Sequence, residues 1–219
     1  MTNNPWESIE LSDYESHMKL HTVRQLQVLN GMMREQLSAW PVHSAMILGI
    51  AGGNGLEHVN RERYRAVYGV DVNGVYLREV QKRYPELEDI LHCLCLDLRT
   101  ESAGLPPAEL LIANLLVEYI GYDCFQKVLA IVKPKYVSCG IQLDTGETFV
   151  SDSPYLHAFD GLDDIHSRID AAELTGYVRR AGYTCLGTKE YPLPNGKKLL
   201  RVDFKTGKES GSCSTIHNI

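Results

Sequence analysis

Apolar residues recur along this chain in two different rhythms. Between positions 15 and 37 they follow helical spacing through Met18, Val23, Leu26, Leu29, Met33 and Leu37, with no proline among them. This predicts one long helix, capped by Asp13 and stopped by Pro41. After Pro41 come short runs that are apolar throughout, over 45–50, 66–70, 90–96, 109–113 and 136–141. Such runs suit strands buried on both faces. Helical spacing separates several of them, over 56–64, 75–84 and 122–132. Strands of this kind alternating with helices predict a parallel sheet covered on both sides.

The alternation ends with a helix over 171–181, stopped by Gly182, and two extended runs, 183–191 and 198–204, around Pro194-Asn195-Gly196. Asn-Gly between extended runs is a strong hairpin signal. The expected fold is therefore α/β and doubly wound, a Rossmann-like, seven-stranded, mostly parallel sheet that ends in an antiparallel hairpin. The expected layout is a helical N-terminal cap over 1–41, the sheet domain over 42–205, and a flexible tail over 206–219, where Gly, Ser, Thr and Lys replace apolar residues. No internal repeat is visible.

Composition narrows the class. Hydrophobic residues make up 44% and charged residues 23% of the 219 positions, which is ordinary for a globular domain. The net charge of −6 argues against nucleic acid or an anionic membrane as partner. The first ten residues lack a basic run followed by an apolar one, so no signal peptide is expected, and no run reaches the ~20 apolar residues of a membrane span. Cys93, Cys95, Cys124, Cys139, Cys185 and Cys213 form no CxxC pair and no ligand-like spacing with histidine. The expectation is a reduced, cytoplasmic protein without a structural metal. Oligomeric state is not legible in the sequence.

The chemistry concentrates at the strand ends. Gly49-Ile50-Ala51-Gly52-Gly53-Asn54-Gly55 follows the first strand. Glycines there bring the main chain close to a ligand, and a helix after the turn would offer free N–H groups. The turn is neither a dinucleotide fingerprint, since His58 and Ala51 stand where G-x-G-x-x-G requires glycine, nor a P-loop, which needs Gly-Lys-Ser/Thr. Asp71 ends the second strand, Asp97 the third and Asn114 the fourth. Each acid alone suits a helix cap. Three polar residues closing successive strands beside a glycine turn suit a ligand lying outside the carboxyl ends of the sheet.

With the hairpin ending, these residues resemble the class I S-adenosylmethionine-dependent methyltransferase family, over 45–204. Laid on the family's acid-x-Gly-x-Gly-x-Gly turn, Ala51, Gly53 and Gly55 take the glycine positions, with Gly52 between them. Gly49 takes the place of the acid. The resemblance implies S-adenosylmethionine as cofactor. It implies ribose contacts from Asp71, with Val72 beside it, and adenine contacts from the Asp97 carboxylate and the Leu98 N–H. Asn114 is then expected below the sulfonium. With no acid at Gly49, another group is expected to order the methionine end, from the N-terminal helix, where Tyr14 or His17 would reach the methionine carboxylate.

Methyl transfer from a sulfonium is an in-line displacement that needs alignment, and a base only where the acceptor carries a proton. The segment Asn114-Leu115-Leu116-Val117-Glu118-Tyr119 lacks the Asn-Pro-Pro-Tyr/Phe motif of many amino-methyltransferases, which points to a small-molecule acceptor. Glu118 lies where the family places groups near the reacting methyl. His17 in the first helix, and Tyr155 and His157 in the long stretch over 142–168, are the other candidates for a base. The choice among these four is open in the sequence. Two rival readings stand beside this one: a non-catalytic methyltransferase-like binding module, kept alive by Gly49, and a nucleotide-dependent oxidoreductase.

Overall fold

The computed structural model describes residues 4–143 and 149–207. These residues form one seven-stranded sheet. In chain order its strands are β1 (Ser44–Leu48), β2 (Ala66–Asp71), β3 (Leu91–Cys95), β4 (Leu110–Asn114), β5 (Tyr136–Leu143), β6 (Tyr183–Pro192) and β7 (Lys198–Thr206). Their spatial order is β3-β2-β1-β4-β5-β7-β6. The first five run parallel, and β7 pairs antiparallel with both β5 and β6. The fold class and the terminal hairpin are those the apolar pattern predicts. The expected tail lies outside the described residues from 208 onward.

Six helices accompany the strands in the described residues: α1 (Leu11–Lys19), α2 (Gln25–Ser38), α3 (Gly74–Arg83), the short α4 (Leu98–Glu101), α5 (Val117–Val132) and α6 (Ala171–Arg180). Alternation along each strand sends successive side chains to opposite faces. Met46, Leu48, Leu111 and Ala113 join one core, beneath Phe125 and Leu129 of α5 and Leu174 of α6. Ala45, Ile47, Leu110 and Ile112 join the other, beneath Met33 and Leu37 of α2 and Leu77 of α3. In β4 all four apolar residues are completely buried, which is why this strand reads as a continuous apolar run.

Two helical expectations are corrected. The long helix over 15–37 is two helices, broken where Arg24 takes a left-handed conformation (φ 52°, ψ 18°). The break lets α1 lie over the ends of the strands while α2 packs on the sheet. Asp13 is not the cap either: α1 starts two residues earlier, after Glu10, and holds Asp13 in its first turn. Apolar spacing alone could not reveal the break, because both helices bury one stripe in the same period. The helix expected over 56–64 is a single 3-10 turn, Leu56–His58. Its place on the sheet belongs to α2, which packs directly on Leu56, Val59 and Tyr64. The Tyr64 hydroxyl donates to the Leu37 carbonyl at 2.7 Å and fixes that contact.

One buried polar chain crosses the α2 side. Gln36 and Asn114 exchange two amide hydrogen bonds, each 2.9 Å. Gln36 also donates to Ser138 Oγ at 2.9 Å, Ser138 to Asp203 at 2.6 Å, and Arg201 to Asp203 at 2.9 Å. Gln36 and Ser138 are fully buried, so every partner in this chain matters. It locks the end of β4 to α2.

The closeness of α2 to the turn after β1 rests on Gly55. Its φ of 96° is strained for any other residue, and an added Cβ would stand 2.5 Å from the Met33 Cβ. Gly55→Ala should therefore lower stability by at least about 2 kcal/mol, through left-handed strain and overpacking. Urea unfolding measures this, and a change within 0.5 kcal/mol, the ordinary range for surface substitutions, would show that α2 does not depend on the contact.

Candidate functional site

The carboxyl ends of β1 to β4 open into a cleft made of three adjoining cavities, and Tyr14 of α1 lines all three. Alternating strand and loop chemistry places the polar residues there, because each strand ends where its apolar run does.

The first cavity holds about 690 Å³ of empty space, solvent at its mouth included, which is in the range of small-molecule sites. Gly49, Ala51, Asp71, Val72, Asp97, Leu98 and Asn114 all line it. Gly49 (φ 68°) and Ala51 (φ 46°) both take left-handed conformations and swing the turn across the end of β2. The Gly49 and Ile50 N–H groups donate to the Val70 carbonyl at 2.8 and 3.1 Å. Asp71 completes the staple, with Oδ2 accepting from the Ala51 N–H and Oδ1 from the Asn73 N–H, both at 2.9 Å. Burial raises the Asp71 carboxyl above its ordinary value, and these main-chain donors oppose the shift. Asp97 caps α4 through the Arg99 N–H at 3.0 Å, and its other oxygen accepts from the Asn4 side chain at 3.1 Å.

The resemblance needs correction within the turn. Gly53 and Gly55 line none of these cavities. They make room for neighbours, Gly53 for Tyr84 and Gly55 for Met33. No long helix follows the turn, so the expected row of free helix N–H groups is absent from this segment. Asn114 does face the cleft, but its amide is committed to Gln36.

The third cavity lies beneath the turn, along Ala51, Gly52 and Asn54. Here α1 contributes Glu15, which pairs with Arg83, whose guanidinium also donates to the Gly52 carbonyl at 3.3 Å. A carboxylate thus stands beside the turn although none occupies position 49. Burial, with the carboxylates of Asp71 and Glu15 nearby, holds the Tyr14 hydroxyl above its ordinary range, so it remains a donor.

The second cavity, about 550 Å³ on the same measure, brings His17 and Glu118 together with a wall of rings. Trp6 packs edge-on against Tyr14 and Tyr119, at 5.8 and 5.0 Å between centroids, and His166 stacks on Phe149 at 3.7 Å. Glu118 is 4% exposed, and its Oε1 accepts from the Gln142 N–H at 3.0 Å. Its carbonyl accepts from the Ser167 N–H at 2.7 Å, which ties the segment after β5 to α5. His17 is also 4% exposed, with Nδ1 2.7 Å from Ser153 Oγ and its ring 4.8 Å from Phe159. Burial, and then the charge of Lys197, lowers its pKa from 6.5. The other two base candidates do not line these cavities. Tyr155 packs with Ile9 and Phe159 outside the cavities, and the His157 side chain is 93% exposed beside Asp160.

Asn4, Trp6, Glu15 and Gln36 are the site-forming residues that sequence reasoning did not single out. The N-terminal segment reaches the cleft because Asn73 donates to the Trp6 carbonyl at 3.0 Å and Tyr76 to the Ile9 carbonyl at 2.8 Å. Neither bond has a periodic signature. Among the described residues there is no cluster of His, Cys, Asp and Glu able to hold a metal ion, and no helix is long and apolar enough to cross a membrane.

A buried imidazole that resists protonation leaves a trace in stability. As pH falls through 6.5 the unfolded chain takes a proton that the folded site refuses, so His17 withdraws stability on the acid side and none above it. Melting curves from about pH 8 to about pH 5 should show a smaller acid loss for His17→Gln than for the parent protein. Equal losses would place His17 in contact with solvent.

No known protein-family model matches this sequence, and no curated protein matches it. Solved structures do match in fold. The N-methyltransferase NodS from Bradyrhizobium japonicum WM9 in complex with S-adenosyl-L-homocysteine superposes with a TM-score of 0.63 at 12% identity, covering 94% of this chain and 100% of that one. Geranyl diphosphate methyltransferase in complex with SAM gives 0.63 at 9% identity, over 89% and 90% of the two chains. The [4+2]-cyclase SpnF gives 0.62 at 11%, over 84% and 82%. The chain therefore has the class I methyltransferase fold.

Proposed function

We propose that this protein is an S-adenosylmethionine-dependent methyltransferase acting on a small-molecule acceptor. The observation that carries the reading is the continuity of the cleft. A cavity edged by Asp71 and Asp97 shares Trp6, Tyr14, Leu115 and Tyr119 as walls with a second cavity that holds His17 and Glu118. Structures of this fold named with S-adenosylmethionine or S-adenosylhomocysteine bound support the choice of cofactor. The cyclase among the similar structures shows why the site, not the fold, must carry the argument.

The residues fit such a cofactor. Asp71 keeps lone pairs for two ribose hydroxyls after accepting its main-chain donors. Asp97 suits an exocyclic amine in place of the Asn4 amide it now accepts from, and the Leu98 N–H suits a ring nitrogen. Glu15 and Tyr14 stand beside the turn as partners for an amino-acid tail, a cationic amine on the carboxylate and an anionic carboxyl on the hydroxyl. When bound, the cofactor supplies a methyl group made electrophilic by the attached sulfonium. The protein aligns the acceptor, excludes water with the Trp6, Tyr14 and Tyr119 rings, and takes up a proton. His17 is the base: burial favours its neutral form, and in the tautomer whose Nδ1–H donates to Ser153 Oγ the Nε2 lone pair is left for the proton. Free thiols at the five described cysteines accord with a reducing, cytoplasmic setting.

Calorimetry tests the cofactor half of this reading. S-Adenosylhomocysteine should bind, and Asp71→Ala should weaken it by about 1–3 kcal/mol, the cost of stranding the ribose hydroxyls. Absence of heat and of any thermal shift at about 1 mM ligand sinks the reading, since that limits binding to roughly −4 kcal/mol. Binding without turnover on any acceptor would instead leave a cofactor-dependent, non-catalytic module.

A further inference from the structure

We propose that Asn4 is a gate on the first cavity: its side-chain amide occupies the Asp97 oxygen that a nucleoside's exocyclic amine needs, and the ligand enters by displacing it. This rests on the methyltransferase reading and adds to the cofactor subsite a contact for which protein and ligand compete.

Asn4 is 7% exposed, and it lines the first cavity together with Asp97, Leu98 and Arg99. Its Nδ2 donates to Asp97 Oδ2 at 3.1 Å. The Arg99 guanidinium lies 3.5 Å from the same oxygen, and the Arg99 N–H donates to Oδ1 at 3.0 Å. An oxygen with two lone pairs is filled by two such partners. Arg99 sits on the same short helix that Asp97 caps, so it moves with the acid. Asn4 comes from a distant segment and is the partner that can leave. A carboxamide NH2 and the exocyclic amine of adenine are both trigonal N–H2 donors. The protein therefore presents to Asp97 an internal counterpart of the ligand group.

The rest of the N-terminal segment is held by contacts that make no use of Asp97. Asn73 donates to the Trp6 carbonyl at 3.0 Å, and the Tyr76 hydroxyl to the Ile9 carbonyl at 2.8 Å. Ile9 packs with Phe159 and Leu162. Release of Asn4 thus frees one end of the segment while these clips remain. The same carboxamide has a second contact, because its Oδ1 accepts from the Trp6 N–H at 3.2 Å and caps the turn Pro5–Glu7. A side chain swung away from Asp97 leaves that N–H without its acceptor. Hydrogen bonds to a carboxylate are charge-assisted, which favours the closed arrangement in the free protein. A ligand then binds with an affinity reduced by the fraction of molecules that are open.

Calorimetry on the full chain, with S-adenosylhomocysteine as the probe, tests the gate. Asn4→Asp keeps an oxygen to accept the Trp6 N–H but replaces the Asp97 donor with a second carboxylate. Asn4→Ala removes both contacts. Each variant should bind the probe about three to ten times more tightly than the parent protein, since no closed arrangement is left to displace. Weaker binding would make Asn4 a contact of the ligand itself and overturns the proposal. Affinities within about twofold of the parent overturn it too, as does tightening in only one of the two variants. In the parent protein, hydrogen exchange followed by magnetic resonance reads the Trp6 amide directly. That amide should exchange at least about three times faster in the complex than in the free protein, the reverse of ordinary protection by a ligand. Unchanged or slower exchange overturns the gate alone, and this readout decides even if neither variant folds. A parent protein that binds no S-adenosylhomocysteine in calorimetry brings down the methyltransferase reading itself, and the gate with it.

Discussion

Everything in the cleft is referred to the Asp71 carboxylate. It is a half-buried acid at the end of a strand, and withdrawing such a group from water is costly unless hydrogen bonds satisfy it. The donors that satisfy it come from the two segments that must be aligned for a ligand to lie there: Ala51 in the turn after β1, and Asn73 at the start of α3. Asn73 in turn caps α3 and holds the Trp6 carbonyl, so one acid organises the turn, a helix start and the N-terminal segment. Its requirement for donors and a ligand's requirement for an acceptor are met at the same place.

The floor of the cleft is fixed from the opposite side. The reciprocal Gln36–Asn114 amide pair pins the end of β4 to α2, and the chain through Ser138, Asp203 and Arg201 carries that restraint across β5 to β7. The hairpin that closes the sheet is therefore connected to the cleft by hydrogen bonds as well as by packing. A fully satisfied buried network of this kind admits few alternative arrangements, which suits a site where alignment supplies much of the rate.

The roof comes from segments far apart in sequence. Tyr14, Trp6, Tyr119, His166 and Phe149 make ring contacts in succession, linking α1, the N-terminal segment, the start of α5 and the stretch after β5. The Trp6, Tyr14 and Tyr119 rings shared by the first and second cavities are thus among those that join these segments.

The strand-and-helix order, the terminal hairpin and the residues at the strand ends were legible in the sequence. Strands buried on both faces have to be apolar throughout, and the change to Asp71, Asp97 and Asn114 marks where each run emerges into the cleft. The glycine turn was legible as a turn but not in detail, since Gly53 and Gly55 serve Tyr84 and Met33, which are distant in sequence. The division of the first helix at Arg24, the replacement of the helix after the turn by α2, the arrival of Glu15 beside Gly52, and the placing of Tyr155 and His157 away from the cavity walls were decided only in three dimensions. Local spacing records which side of an element is buried. What covers that side, and which side chains then meet over the strand ends, depends on long-range packing and on single hydrogen bonds that repeat at no period.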